Sequence, residues 1–121
     1  MLCILHIDWG HNVSGASPSV FANRLIVLAG EITRVVFQVR LAHTPSAIAQ
    51  AGEKVKELAD CLRQVHVDME IQDWSKLLDD KSVLDQSLES HKSSLNKVTD
   101  ALDDKNYDGR RLRAIRKQLD W

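Results

Sequence analysis

Metal-ligating side chains gather near the start of this sequence, at His6, Asp8 and His11. Zinc takes imidazole nitrogens and carboxylate oxygens as ligands, in sets of three or four. On a β-strand His6 and Asp8 would share one face, since alternate side chains point the same way. No matching ligand motif follows them along the chain. We therefore predict no metal site and no cofactor, and a small metal-binding protein is the most distant functional alternative.

Catalytic chemistry has few other candidates. His91 takes an apolar position of a helical stripe described below, which predicts a hydrogen-bonded histidine at the edge of a bundle; the alternative is a pH-sensitive core group. No serine or cysteine stands in a nucleophile motif, and the sequence has no glycine-rich phosphate loop. We predict a protein that is not an enzyme, with no catalytic or cofactor-binding residues and no small-molecule substrate.

A cluster of positive charges near the end of the chain is the best candidate for an interaction surface. Such a cluster can meet phosphates or acidic lipid headgroups. The alternative is a solvated helix face that complements the acidic run just before it, from Asp100 to Asp108. The whole chain has a formal charge of −1, which does not favour nucleic acid as a partner. The cluster consists of Arg110, Arg111, Arg113, Arg116 and Lys117.

Three long apolar stripes predict the elements that must position these residues. They run through residues 21–39, 48–69 and 84–102, with apolar side chains at alternating steps of three and four. Such steps average 3.5 residues, so each stripe lies along one side of a helix that must bury it. The stripes predict an all-α fold, an antiparallel bundle of three long helices plus a shorter C-terminal helix. Its predicted core positions are Leu25, Leu28, Ile32, Val55, Leu58, Leu62, Leu88, Leu95 and Leu102.

Capping and turn residues predict where these helices begin and end. Residues 1–16 are a leader whose pattern fits a strand, a helical turn or a flexible segment, and residues 17–121 are the bundle domain. The first helix should begin at Ser17 and Pro18, and the second at Thr44 and Pro45 after a very short connection. Asp80 or Ser82 should cap the third. The third helix should end at residues 106–109, and the fourth helix should continue to the last residue.

Two further expectations concern particular positions in these helices. Gly30 lies in the middle of the first helix, where a glycine often marks the close approach of a neighbour. Glu53 and Glu57 flank Lys54 and Lys56 on the second helix and are predicted to lie on its solvated outer face.

The two cysteines and the N-terminal residues bear on localisation. Cys3 and Cys61 do not form a disulfide framework. Cys61 is predicted to be a buried free thiol, with a bridge to Cys3 as the alternative. A free thiol fits a reducing compartment. The sequence shows no transmembrane segment and no pattern of a signal peptide. We therefore predict a cytoplasmic protein.

The order of these features over residues 14–121 resembles a known family. A small-residue start at 14–17 precedes an apolar helix at 25–30. Next come a polar joint, the run 53–62 and the helix 88–102. The last feature is a basic helix at 110–121 that ends in Trp121. This order is similar to the helical N-terminal domain of fungal NACHT- and ankyrin-type (NLR-like) proteins, the HeLo-like and related fungal N-terminal domains. The leader 1–12 departs from the family's usual apolar start, and members normally continue beyond this end, which suggests a short or truncated member.

The resemblance implies a signalling module of fungal self/non-self recognition. Such domains precede a nucleotide-binding or repeat region and act when the receptor oligomerises, and some permeabilise membranes and trigger cell death. The family has no catalytic residues to transfer to this chain. The expected partner is another protein or a second copy, with a membrane as the further option. The alternative function is a stand-alone helical assembly protein whose stripes drive homo-oligomerisation.

Overall fold

The computed structural model describes residues 18–121, which form four helices. They are α1 (Pro18–Leu41), α2 (Pro45–Glu70), α3 (Leu78–Asp104) and α4 (Gly109–Leu119). No strand occurs within this range, so the predicted all-α bundle of three long helices and a shorter C-terminal helix is confirmed. The predicted leader, with His6, Asp8 and His11, lies outside the described residues.

The connection between α1 and α2 follows the predicted capping chemistry. Thr44 is the N-cap of α2, and its side chain accepts a hydrogen bond from the backbone N–H of Ala47 at 3.1 Å. Pro45 occupies the first helical turn, where a missing N–H has no cost. At the same end of the bundle, just after α3, Asn106 has a φ of 60°, the left-handed conformation that asparagine tolerates after a helix.

The start of α3 differs from the prediction. The helix begins at Leu78 rather than after Asp80 or Ser82, and its N-cap residue Leu77 makes no side-chain capping bond. A buried tryptophan shapes this turn instead. The indole N–H of Trp74 donates to the Met69 carbonyl at 2.7 Å, and the Leu77 N–H donates to the Trp74 carbonyl at 2.8 Å. The prediction that α4 continues to Trp121 was also wrong, because the helix ends at Leu119.

The core lies between α1, α2 and α3, and α4 packs against α2 and α3. All nine core positions named from the stripes are buried. Because α4 covers part of α2, Glu53 and Glu57 are only partly exposed rather than fully solvated as predicted.

A buried ion pair joins α1 to α2 at the edge of this core. Arg24 Nη1 lies 2.8 Å from Asp68 Oδ2, and both side chains are less than a tenth exposed. The Gln64 amide donates to the other carboxylate oxygen of Asp68 at 2.9 Å. Burial lowers the pKa of Arg24, because desolvation of its charge outweighs the hydrogen bond and the charge of Asp68. The apolar stripes gave no indication of this pair.

His91 joins α3 to α1, as expected of a hydrogen-bonded histidine at the edge of the bundle. Its Nε2 lies 2.7 Å from the Leu25 carbonyl oxygen, and its Nδ1 lies 2.6 Å from that of Ser87. Both partners are acceptors, and a neutral imidazole has a single N–H to donate. The neutral ring can therefore make one of these two bonds at a time, whereas the protonated ring can make both.

Cys61 is buried in α2 and is disulfide-bonded, so the prediction of a free thiol was wrong. Cys3 lies outside the described residues. The cysteines consequently give no support to a reducing compartment.

Candidate interaction surface

Helix α4 is held to the bundle by one apolar side. Leu112, Ile115 and Leu119 are buried, and their spacing of three and four residues places them on a single face. This face packs against α2 and α3. The orientation of the helix is thereby fixed, and every other side chain of α4 has a defined direction relative to the bundle.

Two of the five predicted cations lie on the flanks of α4 and form ion pairs with its neighbours. On one flank Arg111 pairs with Glu53 of α2. On the other flank Arg116 Nη2 lies 2.5 Å from Asp100 Oδ1 of α3. Asp100 belongs to the acidic run that precedes α4 in the sequence, so the alternative interpretation, complementation of that run, holds for Arg116. Arg111 is also paired within the chain, but its partner on α2 lies outside the run.

The other three cations share the face of α4 that points away from the bundle. Arg110, Arg113 and Lys117 are exposed, and they stand at positions i, i+3 and i+7 of the helix. None of them has an ion-pair partner within residues 18–121. They span about 10 Å along the helix axis, at 1.5 Å per residue. We call these three residues the outward cations.

The start of α4 is fixed by its cap and by the preceding tyrosine. Asp108 accepts a hydrogen bond from the backbone N–H of Arg110 at 2.9 Å. The ring of Tyr107 lies directly against the backbone of Gly52 in α2, where a Cβ atom would overlap it. Burial raises the pKa of Tyr107, with a smaller contribution from the charge of Asp108. The sequence predicted a turn at this point but not the contact with Gly52.

The end of α4 is anchored by Trp121. Its ring lies 4.8 Å from that of His66 in α2, and the Lys92 ammonium of α3 lies 5.4 Å from its centroid. His66 in turn contacts Glu70, with Nε2 2.6 Å from Oε1. Contacts with α2 and α3 therefore hold both ends of the helix, and the outward cations stand on a rigid support.

The structure offers few features for other kinds of site. Among residues 18–121, no group of three or more His, Cys, Asp or Glu side chains could hold a metal ion. Nor is any helix in this range both long and apolar enough to cross a bilayer. A cleft of about 480 Å³ lies beside the start of α4, between Ile48, Tyr107 and Arg111. The two cations that line it are engaged, because Lys105 donates to the Ala42 carbonyl at 2.8 Å and Arg111 pairs with Glu53.

No family model, curated protein or solved structure matches this chain.

Proposed function

We propose that this protein is a non-enzymatic helical signalling or interaction domain that binds an anionic membrane surface through the outward cations of α4. The observation that carries this proposal is the division of the basic cluster. Arg111 and Arg116 are neutralised by carboxylates of the bundle. Arg110, Arg113 and Lys117 stand together on the exposed face, so their charge is available to a partner.

The energetics of such a surface are modest but measurable. A Lys or Arg side chain near an anionic lipid surface contributes about 1 kcal/mol, and the attraction falls off within a Debye length of about 8–10 Å. Three cations on one rigid helix can approach a flat surface together. The whole chain has a charge of −1, so binding has to depend on this local face rather than on a general attraction.

The biological setting follows from the resemblance to the N-terminal effector domains of fungal NLR-like receptors. In that setting oligomerisation of a receptor brings several copies of α4 to one membrane, which multiplies a weak contact. The resemblance rests on the order of helices and on the basic stretch 110–121, whose last residue is Trp121. Self/non-self recognition and cell-death signalling are the roles that it suggests.

Sedimentation with lipid vesicles tests the proposal. The wild-type chain should pellet with vesicles that contain acidic lipid at low salt, and it should stay in solution with neutral vesicles. Added salt should release it. The triple variant Arg110→Gln/Arg113→Gln/Lys117→Gln should lose the binding. The control Arg63→Gln/Lys76→Gln/Lys97→Gln removes the same charge from exposed positions outside α4. Equal pelleting with acidic and neutral vesicles would refute the proposal.

A second function, the stand-alone assembly protein, is favoured by a different observation. Helix α1 exposes large apolar side chains on the side that faces away from the bundle. This surface is treated next.

A further inference from the structure

Helix α1 has a second apolar face in addition to the one it buries. Within residues 18–121, nine large hydrophobic side chains are exposed, and five of them belong to α1. They include Ile26, Phe37 and Leu41, which are exposed by 68%, 55% and 73%. A helix that is apolar on both sides normally packs on both sides. The described part of the chain covers only one side of α1.

The exposed positions form a continuous stripe with a shallow centre. Ile26, Gly30, Thr33, Phe37 and Leu41 follow one another at steps of four, three, four and four, so they share one face. They extend over about 22 Å at 1.5 Å per residue. Nothing among the described residues lies within 4 Å of a Cβ built on Gly30, so its expected close neighbour is not part of the bundle. We call these five residues the outer stripe.

The middle of the outer stripe is less polar than its sequence suggests. The Thr33 hydroxyl donates to the Ala29 carbonyl of its own helix at 3.0 Å, which satisfies that donor within the helix. Gly30 has no side chain, so the two central positions allow another helix to approach closely. Helix axes in such contacts come within about 8–10 Å of each other.

We propose that the outer stripe binds a second copy of this chain, with the two α1 helices antiparallel. A two-fold axis beside the midpoint of Gly30 and Thr33 places Gly30 of one copy against Thr33 of the other. The same axis places Ile26 against Phe37, twice. The stripe is therefore complementary to itself, as an isologous interface requires.

The charges beside the outer stripe favour this direction over a parallel pair. A parallel pair in register would place Arg40 of one copy beside Arg40 of the other. The antiparallel pair places Arg40 opposite Asn23 instead. Arg34 already lies 3.5 Å from Glu31 of its own helix, and the Arg40 guanidinium lies 5.8 Å from the Phe37 ring centroid. These contacts lie within one helix and are the same in either arrangement, so the preference rests on the separation of the two Arg40 side chains in the antiparallel pair.

This inference concerns α1 and is independent of membrane binding by α4. The two surfaces use different residues, and α1 and α4 both pack on α2 and α3. Variants of the outer stripe leave Arg110, Arg113 and Lys117 unchanged, so the two proposals can fail separately.

Analytical ultracentrifugation of the full chain, from micromolar to millimolar concentration, tests the proposal. The wild type should show a concentration-dependent monomer–dimer equilibrium. Phe37→Glu and Ile26→Lys should each weaken the dimer by at least about tenfold, because each replaces an apolar contact across the two-fold axis by a charged side chain. Val83→Glu alters an equally exposed apolar residue on α3 and should leave the dimer unchanged. Circular dichroism should show unchanged helix content in all three variants.

The double variant tests the antiparallel register directly. Ile26→Lys combined with Phe37→Glu places opposite charges against each other twice across the proposed two-fold axis. It should dimerise more tightly than either single variant. A wild-type chain that stays monomeric at every concentration would overturn the proposal. A wild-type chain that binds neutral vesicles instead of forming a dimer would also overturn it. A double variant weaker than both single variants would overturn the antiparallel register.

Discussion

Tyr107 shows how a single side chain can be anchored by packing while its polar atom stays unmatched. The residue is 7% exposed, its ring lies on Gly52, and its hydroxyl has no hydrogen-bond partner within the described residues. A buried hydroxyl without a partner disfavours the fold, and the cost is larger for a phenolate. The position at the start of α4 therefore makes stability sensitive to alkaline pH.

The pKa of Tyr107 is raised in the folded state, mainly by burial. Burial in the folded state favours the neutral phenol over the charged phenolate. The stabilising contribution of Tyr107 is therefore fully present at pH values below its ordinary pKa of about 10. This contribution is lost as the pH rises through the raised pKa of the folded state. Because this is the only tyrosine of the chain, the ultraviolet absorbance of its phenolate reports on it alone. The phenol of Tyr107 in the folded protein should titrate above pH 10. The Tyr107→Phe variant should lose less free energy of unfolding than the wild type when the pH is made alkaline. A midpoint at or below 10 would contradict the burial.

Two leucines give a matched comparison of buried and exposed positions. Leu58 is completely buried in the middle of α2, whereas Leu78 is 66% exposed at the start of α3. Leu58→Ala should reduce the free energy of unfolding by about 2–5 kcal/mol, because the packed core leaves a cavity. Leu78→Ala should change it by less than about 0.5 kcal/mol. Denaturant titration measures both, and equal midpoints would show that the core stripe has been assigned to the wrong face.

At the scale of helices, the sequence predicted most of what the structure contains. The stripes identified α1, α2 and α3 because burial along one face imposes a spacing that is visible in the residues. Proline, threonine and asparagine marked the ends because their backbone preferences are local. The start of α3 was misplaced because it depends on Trp74, whose contact with Phe21, 5.7 Å between ring centroids, joins distant parts of the chain.

Two helical glycines have opposite surroundings, which predicts opposite effects of the same substitution. Alanine is more favourable than glycine in a helix by about 1 kcal/mol. Gly30 is open to solvent, so Gly30→Ala should stabilise the monomer by about 0.5–1 kcal/mol. Gly52 is covered by Tyr107, so Gly52→Ala should destabilise the protein in spite of its propensity. Thermal unfolding in dilute solution separates the two, and a stabilised Gly52→Ala would show that Tyr107 does not pack there.

For the molecule as a whole, the sequence indicated the residues of the candidate surface but not their division. All five cations of α4 were predicted as one cluster. Only the position of α4 between α2 and α3 shows that Arg111 reaches Glu53 and Arg116 reaches Asp100. Such pairs join residues that are far apart in the chain, so spacing along the sequence could not reveal them. The apolar outer stripe of α1 was hidden for the same reason, since its exposure depends on which face the other helices cover.

The affinity of the chain for acidic vesicles at low salt is the measurement that tests the proposed function most directly. Three outward cations at about 1 kcal/mol each give about 3 kcal/mol, which corresponds to a factor of about 10² in binding. The variant Arg110→Gln/Arg113→Gln/Lys117→Gln should therefore bind about a hundredfold more weakly than the wild type. The charge-matched variant Arg63→Gln/Lys76→Gln/Lys97→Gln should lose far less. Equal losses in the two triple variants, or no loss in the first, would contradict membrane binding through α4.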